Sequence, residues 1–99
     1  MESKFGSKPL SSLRIRKRSD IDIMANILIA ANKGTKKTRI MYRCNLSHRQ
    51  LQVYLQLLLD MGFLASYSKK EGAKLNGFRT TSKGFKFLKA YRTLKSLMT

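Results

Sequence analysis

The sequence predicts a mostly α-helical domain that carries one small β-hairpin, and three observations lead there. Apolar residues recur at three- and four-residue spacing in four separate segments, as one face of a helix requires. Between positions 63 and 80 that spacing gives way to short alternating runs around a polar, glycine-containing stretch, the pattern of a hairpin. Helix-capping residues stand at the joints: Ser19, Ser47 and Thr81 before apolar runs, and Gly34 and Gly62 after them.

Taken in order, residues 1–18 hold Lys4, Lys8, Arg14, Arg16, Lys17 and Arg18 against Glu2 alone. Gly6, Pro9, Ser7, Ser11 and Ser12 break any periodicity, so this segment reads as a flexible basic arm, followed by a domain over 19–81 and a last helix over 82–99. The first helix is expected to begin at Ser19, which forms a capping pair with Asp22, while Asp20 and Asp22 sit at the positive end of the helix dipole. Ile23, Met24, Ile27, Leu28 and Ala31 form its apolar face, and Lys33-Gly34 its stop. Thr35-Lys36 reads as a short edge strand.

A short second helix is expected over about Lys37 to Arg43, with Ile40 and Met41 inward and Arg39 and Arg43 outward; Cys44-Asn45-Leu46 is the turn. The third helix opens on the clearest local signal in the chain. Ser47 and Gln50 make an S-x-x-Q capping box, and Leu46 and Leu51 are placed as a hydrophobic staple. Leu51, Leu55 and Leu58 follow as its buried stripe, flanked by Tyr54. Ala65-Ser66-Tyr67-Ser68 and Phe78-Arg79-Thr80 are the expected hairpin strands, although Asn76-Gly77 also fits a tight turn. The last helix starts after Thr81, with Phe85, Leu88, Tyr91, Leu94 and Met98 as its apolar positions.

A short helix, a three-residue turn and a capped longer helix make a helix-turn-helix, and the hairpin directly after it makes the arrangement winged. With the leucine stripe inward, Ser47, His48, Arg49, Gln52, Val53 and Gln56 face outward on the recognition helix, residues 47–61. Arginine is suited to bidentate bonding of guanine and glutamine to adenine, so these residues are the candidate base contacts in a major groove. Lys36, Lys37, Arg39 and Arg43 are candidates for the sugar-phosphate backbone, and Lys69, Lys70, Lys74 and Arg79 for wing contacts.

The charge balance agrees. Twenty-one Lys and Arg against five Asp and Glu give +16, of which +11 lies outside the basic arm. Double-stranded DNA is the expected partner, as a chromatin-associated or transcriptional regulatory protein; structured or ribosomal RNA is the second reading. Apolar runs such as Ile27 to Ala31 are far shorter than the roughly 20 residues that span a bilayer. The N-terminal residues lack the apolar core of a secretory signal, and the single cysteine suits a reducing compartment, so a cytoplasmic, nucleoid-associated protein is expected. No zinc set is legible around His48 and Cys44, and no cofactor or small-molecule ligand is expected. His48 reads as an exposed helix-start residue or a DNA contact, and Cys44 as a small residue filling the turn. Asp20 and Asp22 are explained by capping, Asp60 and Glu71 lack partners, and no nucleophile–base pair occurs, so catalysis is not expected.

The run Lys37 to Ser47, the segment Leu57 to Leu64 and the segment Phe78 to Gly84 together resemble the small archaeal winged-helix proteins of the Sulfolobus ten-kilodalton chromatin group. The resemblance covers residues 19–99. It implies DNA binding without catalysis and a homodimer joined through the last helix as an antiparallel coiled coil. Phe87, Tyr91, Leu94 and Met98, spaced by four and three, would form that seam; the same spacing also fits packing onto the domain's own core.

Overall fold

The computed structural model describes residues 19–68 and 76–99. The order is α1 (Asp20–Ala30), β1 (Thr35–Lys36), α2 (Lys37–Cys44), α3 (His48–Asp60), β2 (Leu64–Ser68), β3 (Asn76–Thr80) and α4 (Ser82–Met98). This is the mostly helical, winged arrangement that the pattern predicts.

The first helix is the centre of the core. Ile23, Met24, Ala25, Ile27 and Leu28 are all buried, so α1 is covered on more than one side. Its start is the expected one: the Ser19 hydroxyl accepts from the Asp22 amide at 3.2 Å, and the Asp22 carboxylate accepts from the Ser19 amide at 3.3 Å. Its end comes earlier than Gly34, at Ala30. Gly34, at φ +92°, instead turns the chain into β1.

The three strands pair antiparallel in the order β1-β3-β2, which confirms Thr35-Lys36 as an edge strand. The Asn76-Gly77 turn is not formed: both residues lie in β3, and Gly77 pairs with Tyr67. Glycine is needed there because the Tyr67 ring lies across it, and a Cβ on Gly77 would stand 2.5 Å from the ring. Thr80 fastens the sheet to α1. Its buried hydroxyl donates to the Leu28 carbonyl at 2.7 Å and its amide to the Ala31 carbonyl at 3.1 Å, satisfying acceptors that the helix end leaves open.

The last helix differs from the expected apolar stripe. Gly84 and Leu88 are its buried residues, Phe87 and Tyr91 pack partly against the core, and Phe85 is exposed. The reason is the close approach at Gly84, whose missing side chain lets the helix press onto the Phe63 carbonyl. With position 84 inward, 88 and 91 follow on the same face, and position 85 is rotated outward by about 100°. Tyr91 adds a polar tie: its hydroxyl donates to Asp22 Oδ1 at 2.5 Å, and Lys95 Nζ stands 3.4 Å from the same oxygen. That bond holds the Asp22 carboxyl down at about 2 and pushes the Tyr91 phenol up to about 12. Tyr54 of α3 makes a parallel tie, donating to Asp20 Oδ1 at 2.6 Å. Both tyrosines thus join packing to a hydrogen bond, and the two acids in the first turn of α1 also anchor α3 and α4.

Candidate nucleic-acid interface

The geometry of the surface is set where α2 ends. Asn45 takes the left-handed conformation, φ 54° and ψ 53°, which asparagine tolerates better than most residues. The Leu46 amide then donates to the Met41 carbonyl at 3.1 Å and the Asn45 amide to the Tyr42 carbonyl at 3.2 Å, a Schellman closure that reverses the chain. Two residues later the capping box forms as expected. The Gln50 amide donates to Ser47 Oγ at 3.1 Å, and the Ser47 amide to Gln50 Oε1 at 2.9 Å. Leu46 and Leu51 are both buried beside the cap, and Leu51, Leu55 and Leu58 hold the inner face of α3. The far end closes on Gly62, at φ +79°, with the Phe63 amide donating to the Leu58 carbonyl at 3.0 Å. Both ends of α3 are therefore fixed, and its rotation about its own axis is determined.

That rotation leaves Ser47, His48, Arg49, Gln52, Val53 and Gln56 exposed, all six of the residues expected there. Arg49, Gln52, Val53 and Gln56 form one continuous stripe along two turns. The Gln56 amide donates to Asp60 Oδ1 at 2.9 Å, which orients it along the helix, whereas Gln50 is occupied by the cap. Lys36, Arg39 and Arg43 are exposed and Lys37 is half-buried at the start of α2. Arg43 lines a shallow groove with Asn26, Ile29 and Ala30, on the flank of α2 that faces α1. Arg79 is exposed on β3, its guanidinium carbon 5.5 Å from the centre of the Tyr67 ring. Lys69, Lys70 and Lys74 lie outside the described residues, as does the basic arm 1–18.

Tyr42 is one residue that the sequence reading passes over. It is 79% exposed on α2, one residue before Arg43. The signal was available: with Ile40 and Cys44 buried, a residue two positions after Ile40 falls on the opposite side of the helix. The residues expected in a dimer seam divide into two pairs. Phe87 lies 5.0 Å from Phe63, ring centre to ring centre, and stacks at 6.5 Å with Tyr91, so these two face their own domain. Leu94 and Met98 are exposed, and so is Leu97 between them, at 79%. Among the described residues no cluster of three or more metal-ligating side chains occurs, and no helix is long and apolar enough to cross a membrane.

Known proteins are similar to this chain in sequence or in fold. A protein of Methanocaldococcus jannaschii of undescribed function is 36% identical over 63% of this chain and 69% of its own length. The crystal structure of Sso10a-2, a DNA-binding protein from Sulfolobus solfataricus, superposes with a TM-score of 0.73 over 82% of each chain at 21% identity. A cysteine-to-serine mutant of Lactococcus lactis ZitR, solved in complex with DNA, gives a TM-score of 0.62 at 17% identity over 72% of this chain and 49% of that one. The resemblance to the archaeal group is thus met in the fold. A family model described as winged helix-turn-helix matches residues 17–99, and the chain belongs to that family.

Proposed function

We propose that this protein binds double-stranded DNA through α3, laid in the major groove, and serves as a chromatin-associated or transcriptional regulatory protein. The observation that carries this reading is the stripe Arg49, Gln52, Val53 and Gln56, held outward on a helix capped at both ends. Such a helix, 13 residues or about 20 Å long, matches the roughly 12 Å width of the groove in cross-section. The positive end of its dipole and Arg49 lie at the N-terminal end of the stripe, where a phosphate flanking the groove would be favoured. Sso10a-2 is described as DNA-binding and ZitR was solved on DNA, which supports the same use of this fold.

Phosphate neutralisation supplies most of the affinity of a chain with a charge of +16. With about eight phosphates contacted, log K falls against log salt with a slope near −7. A salt titration on a 20-base-pair duplex measures this, with structured RNA as competitor; a slope near zero, or preference for the RNA, overturns the reading. Lys36→Ala weakens every duplex alike, whereas Arg49→Ala lowers the discrimination between duplexes.

The protein acts as a homodimer through the free end of α4. Leu94, Leu97 and Met98 form an exposed apolar patch of the kind that marks an interface. Sedimentation of Leu97→Lys against the unaltered chain tests it: the dimer is lost if this patch holds it, and an unchanged mass rules the patch out.

A further inference from the structure

The 21 Lys and Arg of this chain are distributed unevenly over the proposed surface. The eight residues of α2 hold three cations, Lys37, Arg39 and Arg43. The 13 residues of α3 hold only Arg49, in the first turn, and end on the opposite charge, Asp60. Beyond Arg49 the outward stripe is amide, apolar, amide: Gln52, Val53, Gln56. A helix placed only to neutralise phosphates has no use for this sequence, because amides and a branched hydrocarbon contribute no charge.

Val53 is the least explained of the three by folding. It is 62% exposed in the middle of the helix, while Leu51, Leu55 and Leu58 already fill the inner face. A β-branched residue at an exposed helical position is intrinsically worse than alanine, because its side chain is crowded against the preceding turn. Of the major-groove edges of the four bases, only thymine offers an apolar group, its C5-methyl. The amides on either side suit adenine, the partner of thymine in the same base pair. We infer that α3 reads sequence rather than charge, and that Val53 is the residue that contacts a thymine methyl. This inference rests on the double-stranded DNA reading given above.

The test starts with selection of sites from a randomised 20-base-pair duplex pool by the full chain at physiological salt. Enriched sites contain thymine opposite the α3 contact. Replacing that thymine by deoxyuridine, which removes only the methyl, weakens binding by roughly fourfold, the effect of losing one buried methyl-sized group. In Val53→Ala the same replacement changes nothing. The uracil comparison is made on the unaltered chain, so it does not depend on how the variant folds. A pool that is bound without any enrichment, sites lacking thymine, or equal affinity for the thymine and uracil sites would each overturn the inference while leaving DNA binding intact. A uracil deficit that persists in Val53→Ala removes the assignment to Val53. Failure to bind any duplex even at low salt would instead overturn the underlying DNA reading.

Discussion

Replacing Gly84 by alanine sets helix propensity against packing, and the structure says which effect is larger. On propensity alone the change stabilises α4 by about 1 kcal/mol. A Cβ built on Gly84, however, would stand 2.3 Å from the Phe63 carbonyl oxygen and 2.7 Å from Thr80 Cγ2. That oxygen is already fixed, since it accepts from the Thr81 amide at 3.0 Å. The neighbouring Gly62 carbonyl accepts from the Thr81 hydroxyl at 2.6 Å, and that hydroxyl in turn caps α4 by accepting from the Gly84 amide at 3.0 Å. To restore normal contact the start of α4 must retreat by about 1 Å, straining this whole junction. Overpacking costs about 1–3 kcal/mol and a weakened hydrogen bond about 1 kcal/mol, so the net destabilisation is about 2 kcal/mol once propensity is subtracted. In a domain of this size that lowers Tm by roughly 8–16 °C. Urea and thermal denaturation followed by circular dichroism, with the exposed Lys86→Ala as control, measure it. A Gly84→Ala protein as stable as the unaltered chain, or more stable, would refute the packing argument.

Other parts of the structure give predictions of the same kind. Tyr91→Phe removes the bond that depresses the Asp22 carboxyl, so its pKa rises from about 2 towards the ordinary 3.8, which an NMR titration reads directly. Because a depressed carboxylate stabilises the fold above 3.8 and loses that contribution as pH falls towards 2, the variant loses less stability over that window. The same bond raises the Tyr91 phenol to about 12, so its contribution holds up to pH 10 and is lost between 10 and 12; Tyr91→Phe abolishes this alkaline window and narrows the acid one, where Ser19 and Lys95 still hold the Asp22 carboxyl down. Thr80→Val keeps the shape but leaves the Leu28 carbonyl without its buried donor, at a cost of about 1–2 kcal/mol in urea unfolding. Ser47→Ala removes the α3 cap and costs about 1 kcal/mol, and amide exchange in the first turn of α3 rises with it.

Much of the fold was legible because its signals are local. The Ser47–Gln50 and Ser19–Asp22 boxes each join residues three positions apart, and the leucine stripe of α3 needs only its own helix to be read. The outward residues of α3 followed directly, since burying Leu51, Leu55 and Leu58 leaves Arg49, Gln52, Val53 and Gln56 on the other side. What was not legible depends on contacts between distant segments. Phe85 reads as inward on hydrophobicity, but the rotation of α4 is set by Gly84 against the Phe63 carbonyl, twenty-one residues away. Asn76-Gly77 has the composition of a turn, yet Tyr67 across the sheet needs a glycine partner and draws both residues into β3. The ties from Tyr54 and Tyr91 to Asp20 and Asp22 span 34 and 69 residues, so no local pattern announces them.

Contact between DNA and the exposed face of α3 can be observed directly. Amide chemical shifts of the full chain, followed while a 20-base-pair duplex is added, test it residue by residue. The largest changes are expected at His48, Arg49, Gln52, Val53 and Gln56, with smaller ones at Lys36 and Arg39. Changes concentrated on α4 or on the groove beside Ile29, with the α3 amides unmoved, would contradict it.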